Sequence, residues 1–295
     1  MGKNSKGTQN RTETKNPITI IIDSNGLAHR EAHKLDNLSW DEKKTGVIFG
    51  FLREILRLSK AYKTDKFIFC WDSQLSLRKE VYPDYKGNRK KNKLDPSIYT
   101  QFDTLRMEVL YEIGFNNIFI QEGYESDDLI AWIVIHYADD KFVIVTSDND
   151  MYQLLFENEI HIYGLHTKKE FTERDFAIKY GILPNNWVDV KSIAGCKTDN
   201  VQGIAGVAVL TAIKYLKGEL NKTSAAHKKI VSEDGKGVIN RNKGLVHLPL
   251  IGTSSVLLRE DNLNIDGFLN VCKRYGFSSF LYKENLSKWK ELLMQ

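Results

Sequence analysis

Several carboxylates in the sequence follow short apolar runs, in positions where they could share metal ions. The apolar runs 18–22, 66–71 and 142–146 lead into acidic residues, and a fourth acidic group opens a helical segment. Mg²⁺ prefers oxygen ligands, and crowded carboxylates repel one another unless a cation joins them. Two such ions about 4 Å apart could activate water and stabilise the leaving oxygen of a phosphodiester. The acidic set is Asp23, Asp72, Glu125, Asp127, Asp128, Asp148 and Asp150.

Each of these acids also has a purely structural explanation. An aspartate after a strand is commonly a turn or cap residue, and Asp148 and Asp150 could cap the helix that follows them. The acids after Ser126 could complement a helix dipole. Because all of them fall at strand ends or at the start of one helix, the sequence favours a metal site over a series of unrelated caps.

The elements that must position these acids form an alternating pattern. The apolar runs are β-branched or aromatic at both alternating positions, which is typical of strands buried on both faces. Helical patterns lie between them, so the strands should be parallel and share one sheet. Their carboxyl ends then meet at one edge, where open α/β sheets bind ligands. The predicted fold is α/β, with a mostly parallel central sheet flanked by helices.

The chain divides by pattern into three parts. Residues 1–16 are polar and predict a disordered arm, residues 17–171 carry the α/β pattern, and residues 172–295 are helical in pattern. Within the last part, the polar, glycine-containing segment 218–245 is predicted to be a loop or insertion.

Basic and aromatic residues cluster directly after Asp72. Cations match phosphates and aromatic rings stack on bases, a combination typical of single-stranded nucleic acid binding. A solvated charged loop is the alternative, but the adjacency to Asp72 favours function. Lys86 and Arg89 would share one face if this segment is helical. The basic residues are Arg78, Lys79, Lys86, Arg89, Lys90, Lys91 and Lys93, interleaved with Tyr82 and Tyr85.

A glycine-rich turn lies between two predicted helices at about 188–216. Gly203 and Gly206 bracket a short hydrophobic turn there, as in a helix–hairpin–helix. Such a turn exposes amides and carbonyls that can hold a DNA phosphate, often through a monovalent ion. Any tight turn between helices also uses glycine, so the motif gains weight only from its surroundings.

Composition sets few limits. The 295 residues are 42% hydrophobic and 27% charged with a net charge of +4, which is ordinary for a globular protein. Cys70, Cys196 and Cys272 lie far apart without CxxC spacing, so neither disulfides nor a zinc site are indicated. No apolar run has the length of a membrane span, and the polar start is unlike a secretory signal. We therefore expect a cytoplasmic protein that does not bind membranes.

Five blocks of the sequence occur in the order seen in one family. The sequence resembles the flap endonuclease / 5′→3′ exonuclease family, in particular stand-alone phage-type enzymes and the 5′-nuclease domain of bacterial DNA polymerase I. The resemblance implies a PIN-like 5′-nuclease core, a helical arch at about 77–99 and a helical DNA-binding region after it. The blocks are 23–25, 82–89, 125–128, 146–150 and 198–204.

The resemblance also implies a role for individual residues. Lys86 and Arg89 would contact the scissile phosphate and stabilise charge in the transition state, while Tyr85 would stack on a base near the cut. The residues similar to ligands of the first metal are Asp23, Asp72, Glu125 and Asp127. The residues similar to the more remote acids are Asp128, Asp148, Asp150 and Asp199. The residues expected to bind DNA are Arg78, Lys79, Lys90, Lys91, Lys93, Gly203 and Gly206.

The implied activity is hydrolysis of DNA phosphodiesters near junctions of single strand and duplex, in the removal of replication primers or flaps. The implied cofactors are two or more Mg²⁺ ions, for which Mn²⁺ can substitute, with K⁺ at the hairpin. The expected partners are DNA with 5′ flaps or a 5′ single strand, including RNA-primed ends. We expect a monomer, in the cytoplasm of a bacterial or phage-infected cell.

The sequence departs from the family pattern at a few positions. Cys196 stands where the family has an aspartate, and a thiol is a poor ligand for Mg²⁺. Ala208 replaces a hairpin glycine, and Leu210 replaces a common basic residue. Two alternatives therefore stay open: a structure-specific DNA-binding protein with a weakened nuclease, and a ribonuclease of the related acidic-site fold. The basic segment and the hairpin argue against the second.

Overall fold

The computed structural model describes residues 17–35, 37–88, 95–156 and 159–294. The predicted arm at 1–16 lies outside the described residues, and so does the part of the basic segment at 89–94. Among the described helices, none combines the length and the apolar character that crossing a membrane would require.

One six-stranded sheet organises the molecule. Its central strand, Ile18–Asp23, pairs in parallel with Phe67–Trp71 on one side and with Lys141–Thr146 on the other. The three strands that lead into the predicted metal ligands are therefore adjacent. The last strand is antiparallel, so the sheet is mostly parallel, as predicted. The spatial order of the strands is Ile118–Ile120, Phe67–Trp71, Ile18–Asp23, Lys141–Thr146, Ile160–Gly164 and Glu170–Phe171.

Helices cover both faces of this sheet, and side chains of the central strand alternate between two apolar cores. Ile20 and Ile22 pack with the helix Gly46–Tyr62, whereas Ile21 packs with the helix Ser126–His136. Alternation follows from the two-residue period of a strand. Burial on both faces explains why Ile20, Ile21 and Ile22 are all apolar and why the strand ends at its first carboxylate.

The remaining elements connect and flank this core. Two short antiparallel pairs join Ser39–Trp40 to Lys43–Lys44 and Gly195–Cys196 to Val201–Gln202. The helices before the last sheet strand are Ser24–Lys34, Gly46–Tyr62, Leu77–Val81, Pro96–Thr104, the π-helical turn Leu105–Val109, Leu110–Ile113, Ser126–His136 and the 3₁₀ helix Asn149–Leu154. The later helices are Glu173–Tyr180, the 3₁₀ turn Pro184–Asn186, Trp187–Ala194, Val209–Leu216, Ala225–Val231, Glu233–Val246, Ile265–Arg274, Ser278–Leu281 and Lys283–Leu293.

The polar segment 218–245, predicted to be a loop or insertion, is mostly helical. Ser224 and Ser232 cap two helices by accepting from backbone N–H groups at the third residue after each. Ile230 and Leu245 are buried, and the second helix packs along Trp187–Ala194. Caps and tertiary packing thus outweigh the low helix propensity of three glycines.

The C-terminal helices return to the other face of the sheet. Phe268 and Trp289 belong to the same apolar core as Ile20, and their rings stack at a centroid distance of 4.2 Å. The division of the chain into a nuclease core at 17–171 and a DNA-binding region at 172–295 stays a prediction. The packing shows that the last helices complete the core.

Candidate active site

Four aspartates gather at the carboxyl edge of the sheet, and we call them the strand-end cluster: Asp23, Asp72, Asp127 and Asp148. Ser126 joins two of them, because its hydroxyl donates to Asp23 at 3.2 Å and its backbone N–H donates to Asp72 at 2.8 Å. Thr146 also donates to Asp23, at 3.0 Å. Neighbouring strand ends and the start of one helix therefore hold these carboxylates together.

The electrostatics of the strand-end cluster are those of crowded, buried anions. Burial, then the charge of Asp72, raises the pKa of Asp23 from 3.8 to about 6. Burial and then Asp148 raise the pKa of Asp127 well above its ordinary value. Burial also raises the pKa of Asp148. Burial and mutual repulsion disfavour the ionised forms of these carboxyl groups. A bound cation would stabilise the ionised forms.

Glu125 lies beside this cluster but is already paired with cationic and phenolic donors. Lys86 Nζ is 2.6 Å from one carboxylate oxygen, and the Tyr85 hydroxyl donates to the other at 2.9 Å. Burial alone would raise the pKa of Glu125, but Lys86 and Arg78 outweigh it and lower that pKa. Glu125 therefore carries its charge without a metal ion.

A second group, which we call the thiol cluster, contains Asp150, Cys196 and Asp199. The Cys196 Sγ lies 3.6 Å from an oxygen of Asp150 and 3.8 Å from one of Asp199. Lys191 forms an ion pair with Asp150 and lies 3.8 Å from the same sulfur. Burial and then Asp150 raise the pKa of the Cys196 thiol to about 11, so the sulfur is protonated at neutral pH.

Two predicted functional residues, Arg78 and Asp128, pair with each other in the interior. Arg78 donates to both oxygens of Asp128 at 2.7 Å, and Leu250 and Glu125 donate to the same carboxylate through backbone N–H groups. Asp128 is completely buried and Arg78 nearly so. The prediction of a metal ligand at Asp128 and of a DNA contact at Arg78 is therefore corrected: the pair anchors the helix Leu77–Val81.

The predicted geometry of Tyr85 and Lys86 also needs correction. Tyr85 is 3% exposed and packs with Val188 and Leu245, so it is not available for stacking on a base in this conformation. Lys86 lies in a turn with a φ of 54° and not on a helix, and its N–H donates to the Asp199 carbonyl. Its ammonium still points into the acidic edge, between Glu125 and Asp199.

The predicted arch contacts fall only partly within the described residues. Lys79 is exposed on the helix Leu77–Val81, in keeping with a surface contact. The other predicted cations, Arg89, Lys90, Lys91 and Lys93, lie outside the described residues.

The predicted hairpin joins the helices Trp187–Ala194 and Val209–Leu216. Gly203 lies against the first of these helices so closely that a β-carbon would stand 2.1 Å from a backbone atom of Ala194. Gly206 has a φ of +81°, which favours glycine. Lys229, from the segment predicted to be a loop, donates to the Ala205 carbonyl at 2.9 Å. The hairpin therefore carries a cation of its own.

One cleft of about 1060 Å³ connects these parts. The strand-end cluster and Lys86 line it together with the hairpin residues Gly203, Gly206 and Leu210. A phosphate held at the hairpin and a second phosphate at the acidic edge would occupy the same cleft.

Sequence reasoning missed the residues that organise the two clusters. Ser126 and Thr146 were visible only as cap or strand residues, although a hydroxyl residue next to each acid was a usable signal. Lys191 had a weaker signal, as a lysine about one helical turn before the Gly195-Cys196 turn.

Known proteins that resemble this chain include 5′-3′ exonucleases and DNA polymerases I. The model of the 5′-3′ exonuclease N-terminal resolvase-like domain matches residues 18–181. The 5′-3′ exonuclease of Buchnera aphidicola is 30% identical over 209 residues, which are 69% of this chain and 71% of that protein. DNA polymerase I of Caldicellulosiruptor bescii is 32% identical over 209 residues, and the chain spans only 24% of that protein.

Solved structures share the fold. The 5′-exonuclease of phage T5 with bound zinc ions has a TM-score of 0.66 and 21% identity, covering 79% of this chain and 90% of that one. Flap endonuclease-1 from Methanococcus jannaschii has a TM-score of 0.55 and 11% identity, covering 95% and 93%. At such identities the likeness shows the fold alone. The family match, the curated relative and the acidic sheet edge agree, and the chain belongs to the 5′-3′ exonuclease family.

Proposed function

We propose that this protein is a divalent-metal-dependent 5′ nuclease that hydrolyses DNA phosphodiesters near junctions of single strand and duplex. One observation carries the proposal: a single cleft joins the strand-end cluster and Lys86 to a glycine hairpin with its own lysine. The first part suits a metal-assisted phosphodiester reaction, and the second suits a duplex backbone.

The chemistry of the strand-end cluster supports the binding of a divalent ion there. It offers oxygen donors from four carboxylates, and burial with mutual repulsion raises the pKa values of Asp23, Asp127 and Asp148. Among the described residues, no ion pair of these four aspartates with a lysine or arginine is seen. We propose Mg²⁺, which Mn²⁺ can replace, because the donors are all oxygen. When bound, the metal supplies an activated water and charge stabilisation for the leaving oxygen.

The residues of the chain hold and orient the reacting groups. Ser126, Thr146 and the Gly26 N–H fix the Asp23 carboxylate, so this ligand is already oriented. Lys86 places an ammonium at the same edge, where it can contact a phosphate oxygen as negative charge develops. Tyr85 holds Glu125 against Lys86 and thereby limits the positions that the lysine can take.

Binding would depend on DNA structure and not on base sequence. The hairpin offers backbone groups and Lys229, which contact phosphates without reading base edges. K⁺ at the hairpin, RNA-primed 5′ ends as substrates, a monomeric state, a cytoplasmic location and a role in primer or flap removal belong to the same proposal.

The test is cleavage of a 5′-labelled DNA flap by the full chain with Mg²⁺, with EDTA and with Asp127→Asn. We expect cleavage near the junction, loss of product with EDTA and loss of product in the variant, with flap binding retained. Glu122→Gln, an exposed acid in the loop before the same helix, is the matched control and should cut normally.

The alternatives give different results. Tight flap binding without product under any divalent ion would identify a DNA-binding protein with a weakened nuclease. Preference for an RNA strand over the same DNA flap would favour the ribonuclease. Unchanged cleavage by Asp127→Asn would refute the assigned site.

A further inference from the structure

The thiol cluster does not fit a second Mg²⁺ ion. Its three ligand atoms, from Asp150, Cys196 and Asp199, lie within 4.8 Å of one another, which is compact enough for one cation. One of the three is sulfur, and Mg²⁺ demands oxygen donors in near-octahedral geometry. Cys196 therefore offers sulfur at a position where a Mg²⁺ ion would require an oxygen ligand.

A cation already occupies this group. The ammonium of Lys191 pairs with Asp150 and lies 3.8 Å from the Cys196 sulfur, and its side chain is only 13% exposed. It therefore contacts two of the three residues that a metal ion would need. Lys86 lies 4.0 Å from the third, Asp199. A divalent ion entering here would have to displace one ammonium and approach another.

The position of Lys191 follows from its helix. It lies in the last turn of Trp187–Ala194, directly before the strand that carries Cys196, and its ammonium lies 5.6 Å from the centroid of the Trp187 ring. An ammonium held by an ion pair and packed near an aromatic ring is a built part of the site.

We propose that the Lys191 ammonium takes the place of a second divalent ion, so that this chain holds one catalytic metal ion, at the strand-end cluster. The inference rests on the proposed function for its first metal but makes a separate claim about the second. Cys196 and Lys191 then act together: the thiol offers sulfur in place of an oxygen ligand, and the ammonium supplies positive charge beside Asp150.

The test counts Mn²⁺ ions bound to the full chain without DNA, by electron paramagnetic resonance of the free ion. The wild type should bind one Mn²⁺ at least about tenfold more tightly than any further ion. The double variant Lys191→Met with Cys196→Asp should bind two ions with affinities within about tenfold of each other. Lys197→Met, which removes one lysine charge at an exposed neighbour of Cys196, is the control for the Lys191→Met part of the change and should bind one.

The wild-type count decides the matter even if the double variant fails to fold. Two ions of similar affinity in the wild type would overturn the inference, and so would no bound ion. A wild type that binds two ions and still cuts flaps would leave the proposed function intact, whereas the absence of cleavage with one ion bound would refute the function and leave the count standing. If the double variant folds and still binds only one ion, Lys191 and Cys196 are not the reason that a second ion is excluded.

Discussion

The strand-end cluster and the thiol cluster are neighbouring acidic groups that balance their charge differently. In the strand-end cluster, aspartates face one another, and burial with repulsion raises the pKa of Asp23 to about 6. In the thiol cluster, Lys191 pairs with Asp150, and a neutral thiol replaces one anion. Within the part of the chain that the structure describes, the first group forms no ion pair with a lysine or arginine, and the second pairs with Lys191. Acidic residues at one edge of a sheet are therefore not equivalent metal ligands.

The difference arises from the elements that supply each group. Adjacent parallel strands and one helix start deliver the strand-end aspartates, whose charges all have the same sign. The thiol cluster is assembled from a 3₁₀ helix, a two-residue strand and the turn after it, and the helix before that strand adds Lys191. Four predictions test this contrast, and a fifth compares both clusters with the hairpin.

The largest expected effect is on cleavage by Asp127→Asn. Removing one carboxylate from the strand-end cluster should lower the cleavage rate by on the order of 10³-fold, comparable to the loss of a strong electrostatic contact at a reacting phosphate. Single-turnover cleavage of a 5′ flap measures the rate, and a binding titration checks that flap affinity is retained. A cleavage rate within threefold of the wild-type rate would show that the strand-end cluster has no role in catalysis.

Lys86→Met should have the next largest effect. Its ammonium lies at the boundary of the two clusters, so we expect a loss of about 10²-fold in kcat with a smaller change in KM. Lys60→Met, an exposed lysine of the helix Gly46–Tyr62, is the control for the change in net charge. A rise in KM at constant kcat would show instead that Lys86 only binds substrate.

The metal-free stabilities of two variants should move in opposite directions. Asp23→Asn keeps the cap but removes repulsion, so the free energy of unfolding should rise by on the order of 1 to 3 kcal/mol. Lys191→Met leaves the buried Asp150 without its cation and should lower that free energy by about 3 to 5 kcal/mol. Urea unfolding in EDTA measures both. If both variants lower the free energy of unfolding, the two clusters do not differ in how their charge is balanced.

The pH dependence of metal-free stability tests the same repulsion. The pKa of Asp23 is about 6 in the fold, above the ordinary 3.8, so the fold binds this proton more tightly than the unfolded chain does. The stabilisation is complete below pH 3.8 and is lost as the pH rises through about 6. Between pH 5 and 7, unfolding free energy should fall by up to about 1.4 kcal/mol per unit for one such proton.

Urea titrations at pH 5, 6 and 7 measure this slope. Asp23→Asn should reduce it, and saturating Mg²⁺ should oppose it, because a metal ion requires the ionised carboxylate. A slope that is the same in wild type and variant would assign the pH dependence to other groups.

The smallest effect should lie outside both clusters, at the hairpin. Lys229→Met should weaken duplex binding and reduce the slope of log affinity against log salt by about 0.9, as expected for one lost phosphate contact. Lys228→Met, the exposed neighbour, is the matched control. Equal effects of the two variants would mean that the hairpin contact of Lys229 is not used in DNA binding.

Much of this arrangement was predictable because it depends on backbone periodicity. The runs before Asp23 and Asp72 read as buried parallel strands, and the structure places those strands side by side. The roles of single side chains were less predictable. Asp128 is directly adjacent to Asp127 in sequence, yet it points to Arg78 in the interior and takes no part in the acidic edge.

Local composition also misled where packing decides. The segment 218–245 carries glycines and polar residues typical of a loop, but serine caps and contacts with Trp187–Ala194 make it two helices. Those helices bring Lys229 to the hairpin carbonyl of Ala205. A pattern within one segment cannot report a partner that is distant in sequence.

The sequence by itself determined the α/β fold, the family and the gathering of carboxylates at one sheet edge, because strand periodicity and residue order encode all three. Only the tertiary structure decided, within the described residues, which acids pair with a basic side chain and which face other acids. That outcome depends on distances between side chains from separate elements, such as Lys191 to Asp150 and Arg78 to Asp128. Electrostatic balance is set by those distances, and sequence spacing does not contain them.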